Sequence, residues 1–350
     1  MNAEVCCYSQ VISTAYLEND ISLINKKYER ETRRYKSTID KRLLSFLETR
    51  KPASVYDPIR YVVSVGGKRV RSILLLLSCE AVGGSVQSAL PAAVAIELFH
   101  NFTLVHDDVM DNARLRRGKP TVHAKWDSNV AILAGDELIA LAYQSLLQTR
   151  SRYCDRIFNA FTDAFIQVCE GQGLDKEYEV RDRVDLDDYL CMIKKKTGRV
   201  IAAAAEIGAL IGEGSERQIT ALRRFGEYLG RAFQVQDDIL DIAGDREELG
   251  KEIGGDLKEG KKTYLLLKGI ERTEGSDRRL LQSIVRRKKI THRQISQVRE
   301  IYIRAGVIDE AEKEVARSTR RAQRFLASIK NGRARDILHW LSQQLLERNN

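Results

Sequence analysis

The sequence predicts an all-α protein, and three observations carry this prediction. Apolar residues recur at three- and four-residue spacing through most of the chain, as in Leu43, Leu44 and Leu47, which is the period of an amphipathic helix. The alternating apolar and polar pattern of strands is nearly absent. All four prolines lie within the first 120 residues, so the remainder has no residue of this helix-breaking type.

Local signals give the helix boundaries. Asp57 and Pro58 are typical of an N-cap and a first helical residue, and Gly83 with Gly84 is typical of a C-cap, so one helix is expected over 58–82. Periodicity predicts further helices over 17–50, 87–111, 128–149, 152–171, 185–211, 215–244, 261–272, 276–288, 291–305, 307–330 and 333–348. Because no Pro-, Gly- or Ser-rich linker divides the chain, residues 1–350 are expected to form one domain.

Composition excludes several classes of protein. Apolar residues make up 43% and charged residues 31% of the 350, which indicates a globular rather than a disordered chain. We find no apolar run of the roughly 18 residues that a membrane span needs and no secretory signal, so a cytoplasmic protein is expected. None of the six cysteines forms a C-x-x-C pair, so structural thiols are expected. The net charge of +9 favours an anionic partner without choosing among nucleic acid, phospholipid and a phosphorylated substrate.

The chain contains one acidic pattern twice, in FTLVHDDVMD and in FQVQDDILD. On a helix, the three carboxylates of D-D-x-x-D crowd one face at a like-charge cost. A solvated acidic face could explain one copy, but two copies in similar apolar surroundings favour a metal site. Oxygen ligands without His or Cys partners favour Mg²⁺, which substrate phosphates typically complete. The six aspartates are Asp107, Asp108, Asp111, Asp237, Asp238 and Asp241.

Basic segments accompany both acidic clusters. The first cluster is followed by RLRRGKP, the second by GKEIGGDLKEGKKT, and GGKRVR lies upstream of both. Guanidinium groups give bidentate recognition of phosphate, although a surface ion-pair cluster is the simpler alternative. The chain has no G-x-x-x-x-G-K-[ST], G-x-S-x-G or H-E-x-x-H motif, so P-loop kinase, serine hydrolase and zincin functions lose their support.

Taken in order, these motifs resemble those of the trans-isoprenyl diphosphate synthases of the polyprenyl synthetase family. The resemblance runs from about Tyr56 to Thr263 and includes IELFHNFTLVHDDVMDNARLRRGKPTVH, EGQGLD and KKKTGRV. It departs from the family at Ser72 and Leu265, where proline is frequent. The resemblance implies a single large helical bundle of the isoprenoid synthase type with a central apolar cavity. It also implies a homodimer that condenses isopentenyl diphosphate with allylic diphosphates, most like the geranylgeranyl and farnesyl diphosphate synthases.

The resemblance further implies the roles of individual residues. The diphosphate of isopentenyl diphosphate would be held by Lys68, Arg71, His100 and Arg117. The allylic diphosphate would be held by Arg116, Lys196, Lys251 and Lys261. Mg²⁺, expected as three ions bound with the allylic diphosphate, would be held by Asp107, Asp111, Asp237 and Asp241, with Asp108 and Asp238 secondary. The catalytic residues facing the reacting carbon, where oxygen dipoles can stabilise an allylic cation, would be Lys196, Thr197 and Gln234. His106 is expected to be structural.

Product length is expected to depend on Phe102 and Thr103, the fifth and fourth residues before Asp107. An aromatic ring about one and a half turns below the carboxylates would be a floor for the growing chain. A lone aromatic residue at the fifth position resembles archaeal-type geranylgeranyl synthases, so a C20 product is expected, with C15 or a longer chain as alternatives. Phe102 could instead simply pack in the core.

Three other functions compete with this interpretation. A class I terpene cyclase or a squalene-type synthase also ionises diphosphates, but it does not need the second diphosphate site that GGKRVR and Arg116-Arg117 indicate. The basic runs at 286–289 and 317–324 could bind nucleic acid or an acidic membrane, but they lack interleaved aromatic residues, so no nucleic-acid partner is expected. The intact aspartate clusters argue against a catalytically silent subunit.

Overall fold

The protein is built almost entirely of helices, as the sequence predicts. The structure, a computed structural model, describes residues 4–243, 254–285 and 290–344. The helices are α1 (Glu4–Leu47), α2 (Ala53–Ser64), α3 (Val70–Ala81), α4 (Val86–Met110), α5 (Val122–Lys125), α6 (Ser128–Leu146), α7 (Cys154–Val180), α8 (Leu186–Ile193), α9 (Arg199–Ile211), α10 (Glu216–Ala243), α11 (Gly255–Glu259), α12 (Tyr264–Arg272), α13 (Gly275–Val285), α14 (His292–Arg304), α15 (Val307–Leu326) and α16 (Arg333–Gln343). A π-helical segment (Lys194–Gly198) joins α8 to α9. Strands β1 (Leu115–Arg116) and β2 (Lys119–Pro120) form an antiparallel hairpin.

The single helix expected over 58–82 is wrong, because α2 and α3 divide this stretch. Pro58 lies inside α2, which begins at Ala53 rather than at an N-cap on Asp57. Between the helices, Gly66 and Gly67 have φ of 82° and 152°, which are values that a helix excludes and glycine tolerates.

The buried side chain of Arg69 fixes the loop between α2 and α3. Arg69 is 5% exposed and has a φ of 53°. Its guanidinium donates hydrogen bonds at 2.8 Å to the carboxylates of Asp40 and Glu97 and to the carbonyl of Val63. These contacts with remote elements stabilise a backbone that the periodicity of the sequence does not predict.

Other boundaries also differ from expectation. The first helix begins at Glu4 rather than at residue 17, and α7 continues to Val180, nine residues beyond 171. The stretch 185–211 contains the π segment, and neither the hairpin nor α11 was expected. The ends predicted at 244, 288 and 348 lie outside the described residues.

The core surrounds α9, whose sequence RVIAAAAEIGALI is buried at nearly every position. Its small side chains allow close packing, and α9 contacts α3, α4, α7 and α10. Helices α4 and α10, which carry the two aspartate clusters, therefore both pack on the same central helix.

Helix α4 is long and apolar enough to qualify as a membrane span by length and composition, whereas we expected no such segment. Within its most apolar stretch, 72% of the residues are buried inside the protein. It thus packs as the core helix of a bundle.

Candidate active site

The first acidic cluster lies in the last turn of α4. Asp108 is 4% exposed, and the Arg116 guanidinium donates to its Oδ1 from Nε at 2.8 Å and from Nη2 at 2.7 Å. Asp111 lies 2.6 Å from Nζ of Lys176 and 3.5 Å from Nζ of Lys261. Cations from three separate elements thus meet this cluster.

These cations affect the carboxyl groups unequally. Burial raises the pKa of Asp107 and of Asp108, although nearby cations oppose it. Burial alone would also raise the pKa of Asp111, but Lys261 and Lys176 outweigh it and lower that pKa. Asp111 is therefore the carboxylate of this cluster whose charge is most stabilised.

The second acidic cluster lies near the C-terminal end of α10. Asp238 is 3% exposed and accepts hydrogen bonds from the Tyr189 hydroxyl at 2.6 Å, the Tyr264 backbone N–H at 2.9 Å and Nε2 of Gln234 at 3.3 Å. Burial raises the pKa of Asp238 to about 8. Asp241 accepts from the backbone N–H of Asp256 at 3.3 Å, so the chain returns to the cluster at α11.

A cavity of about 310 Å³ adjoins the second cluster. Lys196 lies on its wall and donates to Asp175 at 2.6 Å, and the Thr197 hydroxyl donates to Oε1 of Gln234 at 2.8 Å. Lys261, which also lines the cavity, reaches Asp111 of the first cluster. The lining residues that concern the site are Asp175, Tyr189, Lys196, Thr197, Gln234, Asp237, Asp238, Asp241 and Lys261.

Glycines on α7 and α10 allow these two helices to pack closely against the π segment. A Cβ on Gly171 would lie 2.3 Å from the backbone nitrogen of Lys196, and one on Gly230 would lie 2.7 Å from Cα of Gly198. Helices α7 and α10 therefore pack backbone to backbone against the segment. Irregular π turns in helices are frequent at functional sites.

A second group of cations gathers at the start of α3. Nη1 of Arg71 lies 3.3 Å from Nε2 of His100, and Arg71 Nε is buried without a hydrogen-bond partner in the described part of the chain. Burial, together with Arg71 and Arg117, lowers the pKa of His100 well below its usual value. Burial and neighbouring arginines also lower the pKa values of Arg71 and Arg117. Buried basic groups whose charged forms are destabilised by burial and by neighbouring arginines are typical of a site that binds an anion.

The loop before α3 makes room for these cations. A Cβ on Gly67 would lie 2.6 Å from Nη1 of Arg117, so a side chain there would displace the guanidinium. Lys68 and Arg71 border a neighbouring cavity of about 490 Å³ that includes the apolar residues Phe233 and Leu229. A charged rim beside an apolar wall fits a ligand with an anionic head and a hydrocarbon body.

The residues present fit Mg²⁺, provided that a substrate completes its coordination. Within the described ranges, no group of three His, Cys, Asp or Glu side chains is arranged to hold a metal ion alone. Guanidinium or ammonium groups instead pair with Asp108, Asp111 and Asp175 and supply positive charge at those oxygens. An all-oxygen donor set of this kind suits Mg²⁺, which keeps waters and takes phosphate ligands.

The structure brings most of the predicted site residues together. Asp237, Asp241, Lys196, Thr197, Gln234 and Lys261 line one cavity, and Arg71, His100 and Arg117 form the second cation group. Arg116, Lys196 and Lys261 are bound to carboxylates. Lys251 lies outside the described residues.

Phe102 and Thr103 lie one layer below the first cluster. The Phe102 ring is 8% exposed and packs against Phe165 at 5.5 Å and His106 at 4.8 Å between centroids. The Thr103 hydroxyl donates to the His100 carbonyl at 2.8 Å. His106 also contacts the Ile132 carbonyl at 3.2 Å, in agreement with the expected structural role.

Sequence reasoning missed Tyr189, Lys176, Glu97 and Arg69. Lys176 follows the EGQGLD motif directly, so its position could have been noticed. Tyr189 stands in an ordinary helical pattern, and Glu97 and Arg69 lie inside the motifs IELFHN and GGKRVR without a role assigned to them, so only the fold shows their partners.

Residues 52–302 match the Polyprenyl synthetase family. The chain belongs to this family. It is 37% identical over 317 residues to a short chain isoprenyl diphosphate synthase of Methanothermobacter thermautotrophicus, covering 90% of this chain and 97% of the relative. It is 42% identical over 244 residues to a geranylgeranyl diphosphate synthase of Methanosarcina mazei, covering 69% and 75%.

A solved polyprenyl synthetase relative shares the fold. The geranylgeranyl pyrophosphate synthase of Corynebacterium glutamicum, complexed with isoprenyl diphosphate and magnesium, superposes with a TM-score of 0.83 at 27% identity. The match covers 91% of this chain and 99% of that one. The all-helical fold predicted from the sequence is thereby confirmed.

Replacing the Tyr189 hydroxyl tests the contact that holds Asp238 in this synthetase. Tyr189→Phe leaves a buried acceptor with one donor fewer, which should lower the free energy of unfolding by about 1–3 kcal/mol. Tyr143→Phe is the control, since the partly buried Tyr143 donates to the Thr162 hydroxyl at 3.0 Å and should lose less than about 1 kcal/mol. Urea denaturation with chelator present measures both, and equal losses would show that Tyr189 has no special role.

Proposed function

We propose that the protein is a short-chain prenyltransferase that condenses isopentenyl diphosphate with allylic diphosphates to a trans-prenyl diphosphate, geranylgeranyl diphosphate (C20). One observation carries the proposal. The cavity at the acidic end of α10 is linked to the acidic end of α4 through Lys261, and the buried arginines Arg71 and Arg117 lie near it around His100. Two diphosphates would fit these two places, one bound through metal at the aspartates and the other bound by basic side chains alone. The family and its named relatives support the same activity.

The first step of the proposed reaction breaks the allylic C–O bond, and the electron pair leaves with the diphosphate. Bound Mg²⁺ would neutralise that diphosphate as its charge develops. Arg116, Lys196 and Lys261 would bind its remaining oxygens. The Thr197 hydroxyl and the Gln234 amide, already hydrogen-bonded to each other, would orient their oxygen dipoles towards the cationic carbon.

The second step forms the new C–C bond. Lys68, Arg71, His100 and Arg117 would hold isopentenyl diphosphate so that its double bond attacks the allylic carbon. A proton then leaves the neighbouring carbon for the released diphosphate, and the double bond forms again. Since no protein nucleophile is needed, no catalytic triad or reactive cysteine is required. A class I cyclase would have no use for this second diphosphate site.

Finer features of the enzyme belong to the same proposal. Three Mg²⁺ ions would bind with the allylic diphosphate at Asp107, Asp111, Asp237 and Asp241, and the complex of the Corynebacterium relative with magnesium supports this cofactor. The enzyme would be a cytoplasmic homodimer of one-domain chains. Exposed apolar side chains on α6 and α7, Ile132, Leu133 and Ile166, support a partner chain there.

Substitution of the metal-binding aspartates tests the reaction itself. Asp107→Ala or Asp237→Ala should lower turnover by several orders of magnitude while leaving the far-UV circular dichroism spectrum unchanged, because each removes a metal ligand without opening the core. Asp163→Ala, at an exposed carboxylate on α7 paired with Arg199, is the control and should retain activity. The assay is chromatography of prenyl products from labelled isopentenyl diphosphate, with Mg²⁺ or with chelator. Normal turnover in chelator, or a hydrocarbon product, would refute the proposed function.

Arg71→Ala separates the two diphosphate sites. It should raise the KM for isopentenyl diphosphate about ten- to a hundredfold, the effect of losing a charged hydrogen bond of about 1.5–3 kcal/mol. The KM for the allylic partner should change much less. Arg156→Ala, which removes a surface pair with Glu216, is the matched control. Equal effects of Arg71→Ala on both substrates would show that the site is wrongly assigned.

The C20 product is tested at the layer below the first cluster. Phe102→Ala should lengthen the product, because it removes a ring about 7.5 Å below Asp107 along the helix. Thr103→Phe should shorten the product, since position i−4 shares the face of Asp107. Phe325→Ala, which removes a distant ring stacked on Tyr228, controls for lost packing. If chromatography gives the parental length distribution for both site variants, the floor lies elsewhere.

A further inference from the structure

Lys176 is a cation at the active site to which neither the motifs nor the reaction assigns a role. It lies on α7, directly after Asp175. Its Nζ is 2.6 Å from Oδ1 of Asp111 and 2.8 Å from Oε1 of Glu179. The side chain of Asp111 is 11% exposed, so the ammonium contacts a largely buried carboxylate that is a proposed metal ligand.

An ammonium at this distance occupies a position that a metal ion needs. Mg²⁺ binds carboxylate oxygen at about 2.0–2.1 Å, and its two positive charges repel a neighbouring ammonium. Lys261 is the other cation near Asp111, but it is farther away at 3.5 Å and contacts Glu259 more closely, at 2.5 Å. Lys176 is therefore the group that a metal ion at Asp111 must displace.

Glu179 is a second ion-pair partner for Lys176. It follows Lys176 by three residues on the same helix, so the two side chains are neighbours on its surface. A metal ion that takes Asp111 would leave the ammonium paired with Glu179 rather than without a counter-charge. The displacement then costs one ion pair and not two.

We infer that Lys176 is a positioning residue that competes with the metal ion for Asp111, and that Glu179 retains its ammonium when the metal binds. This inference rests on the proposed function, since it takes Asp111 as a metal ligand. Such competition weakens metal binding to the substrate-free protein and favours entry of the metal together with the diphosphate. It also accounts for the arrangement in the described residues, where Asp111 is paired with cations and no ready-made metal site is found.

The test measures Mn²⁺ binding to the substrate-free protein by electron paramagnetic resonance of the free ion. Lys176→Met should tighten the Mn²⁺ dissociation constant about two- to fivefold, the equivalent of one partly exposed ion pair. Glu179→Gln should weaken it by a similar factor, because Lys176 then has Asp111 as its remaining partner of the two. The variant that carries both substitutions should have the same Mn²⁺ dissociation constant as Lys176→Met alone. A purely structural role for the pair would not give opposite signs.

Lys195→Met is the matched control. Lys195 has the same side-chain exposure as Lys176, 32%, and forms an ion pair of the same length, 2.6 Å, with Glu170. The substitution Lys195→Met removes the same charge near the site and should leave the Mn²⁺ dissociation constant unchanged. Asp111→Asn is the reference for loss of the ligand and should weaken Mn²⁺ binding.

Three results would overturn the inference. These are an unchanged Mn²⁺ constant in Lys176→Met, shifts of the same sign in Lys176→Met and Glu179→Gln, and an equal tightening in Lys195→Met. If Lys176 binds the diphosphate instead, Lys176→Met will raise the KM for the allylic substrate without tightening Mn²⁺. Failure of the proposed function is distinguishable, because it would show as absence of prenyl product from the parent protein, which the Mn²⁺ titration does not involve.

Discussion

Cations neutralise the acidic end of α4, whereas uncharged donors hold buried Asp238 at the acidic end of α10. Like charges brought together in a partly buried site repel strongly, and here Arg116 pairs with Asp108 and Lys176 with Asp111, while Lys196 pairs with Asp175 of α7 beside the second cluster. Each of these cations comes from a different element: the hairpin, α7 and the π segment. These pairs stabilise this end of the bundle, and on the proposed function they would rearrange when metal and diphosphate bind.

The second group differs, since burial and neighbouring arginines lower the pKa values of Arg71 and Arg117, and burial together with these two arginines lowers the pKa of His100. Buried Glu97, 3% exposed, provides some compensation through Arg69 at 2.8 Å. An anionic substrate would complete the compensation. On the proposed function, this division would explain why one diphosphate site uses metal and the other uses basic side chains.

The two departures from the family pattern fit the fold without affecting charge. The Ser72 hydroxyl donates to Glu97 and to the Ala93 carbonyl, both at 2.9 Å, so a hydrogen-bonding side chain stands where the resemblance leads to the expectation of a proline. Leu265 is 1% exposed in the first turn of α12, where an apolar side chain packs against the core. Neither change removes a group that the proposed reaction uses.

The helical class follows from the sequence alone, and so do the two aspartate clusters and the basic segments beside them, because these are patterns of neighbouring residues with a fixed period. It did not determine the break between α2 and α3, which depends on Arg69 reaching Asp40 and Glu97 from 29 and 28 residues away. Nor did it reveal that Tyr189 holds Asp238, 49 residues later, or that Lys176 meets Asp111, 65 residues earlier. Spacing along a helix reports which residues share a face, whereas partners on other helices are set by how those helices pack. Only the tertiary structure decided them, since close packing around α9 and at Gly171 and Gly230 brings these elements into contact.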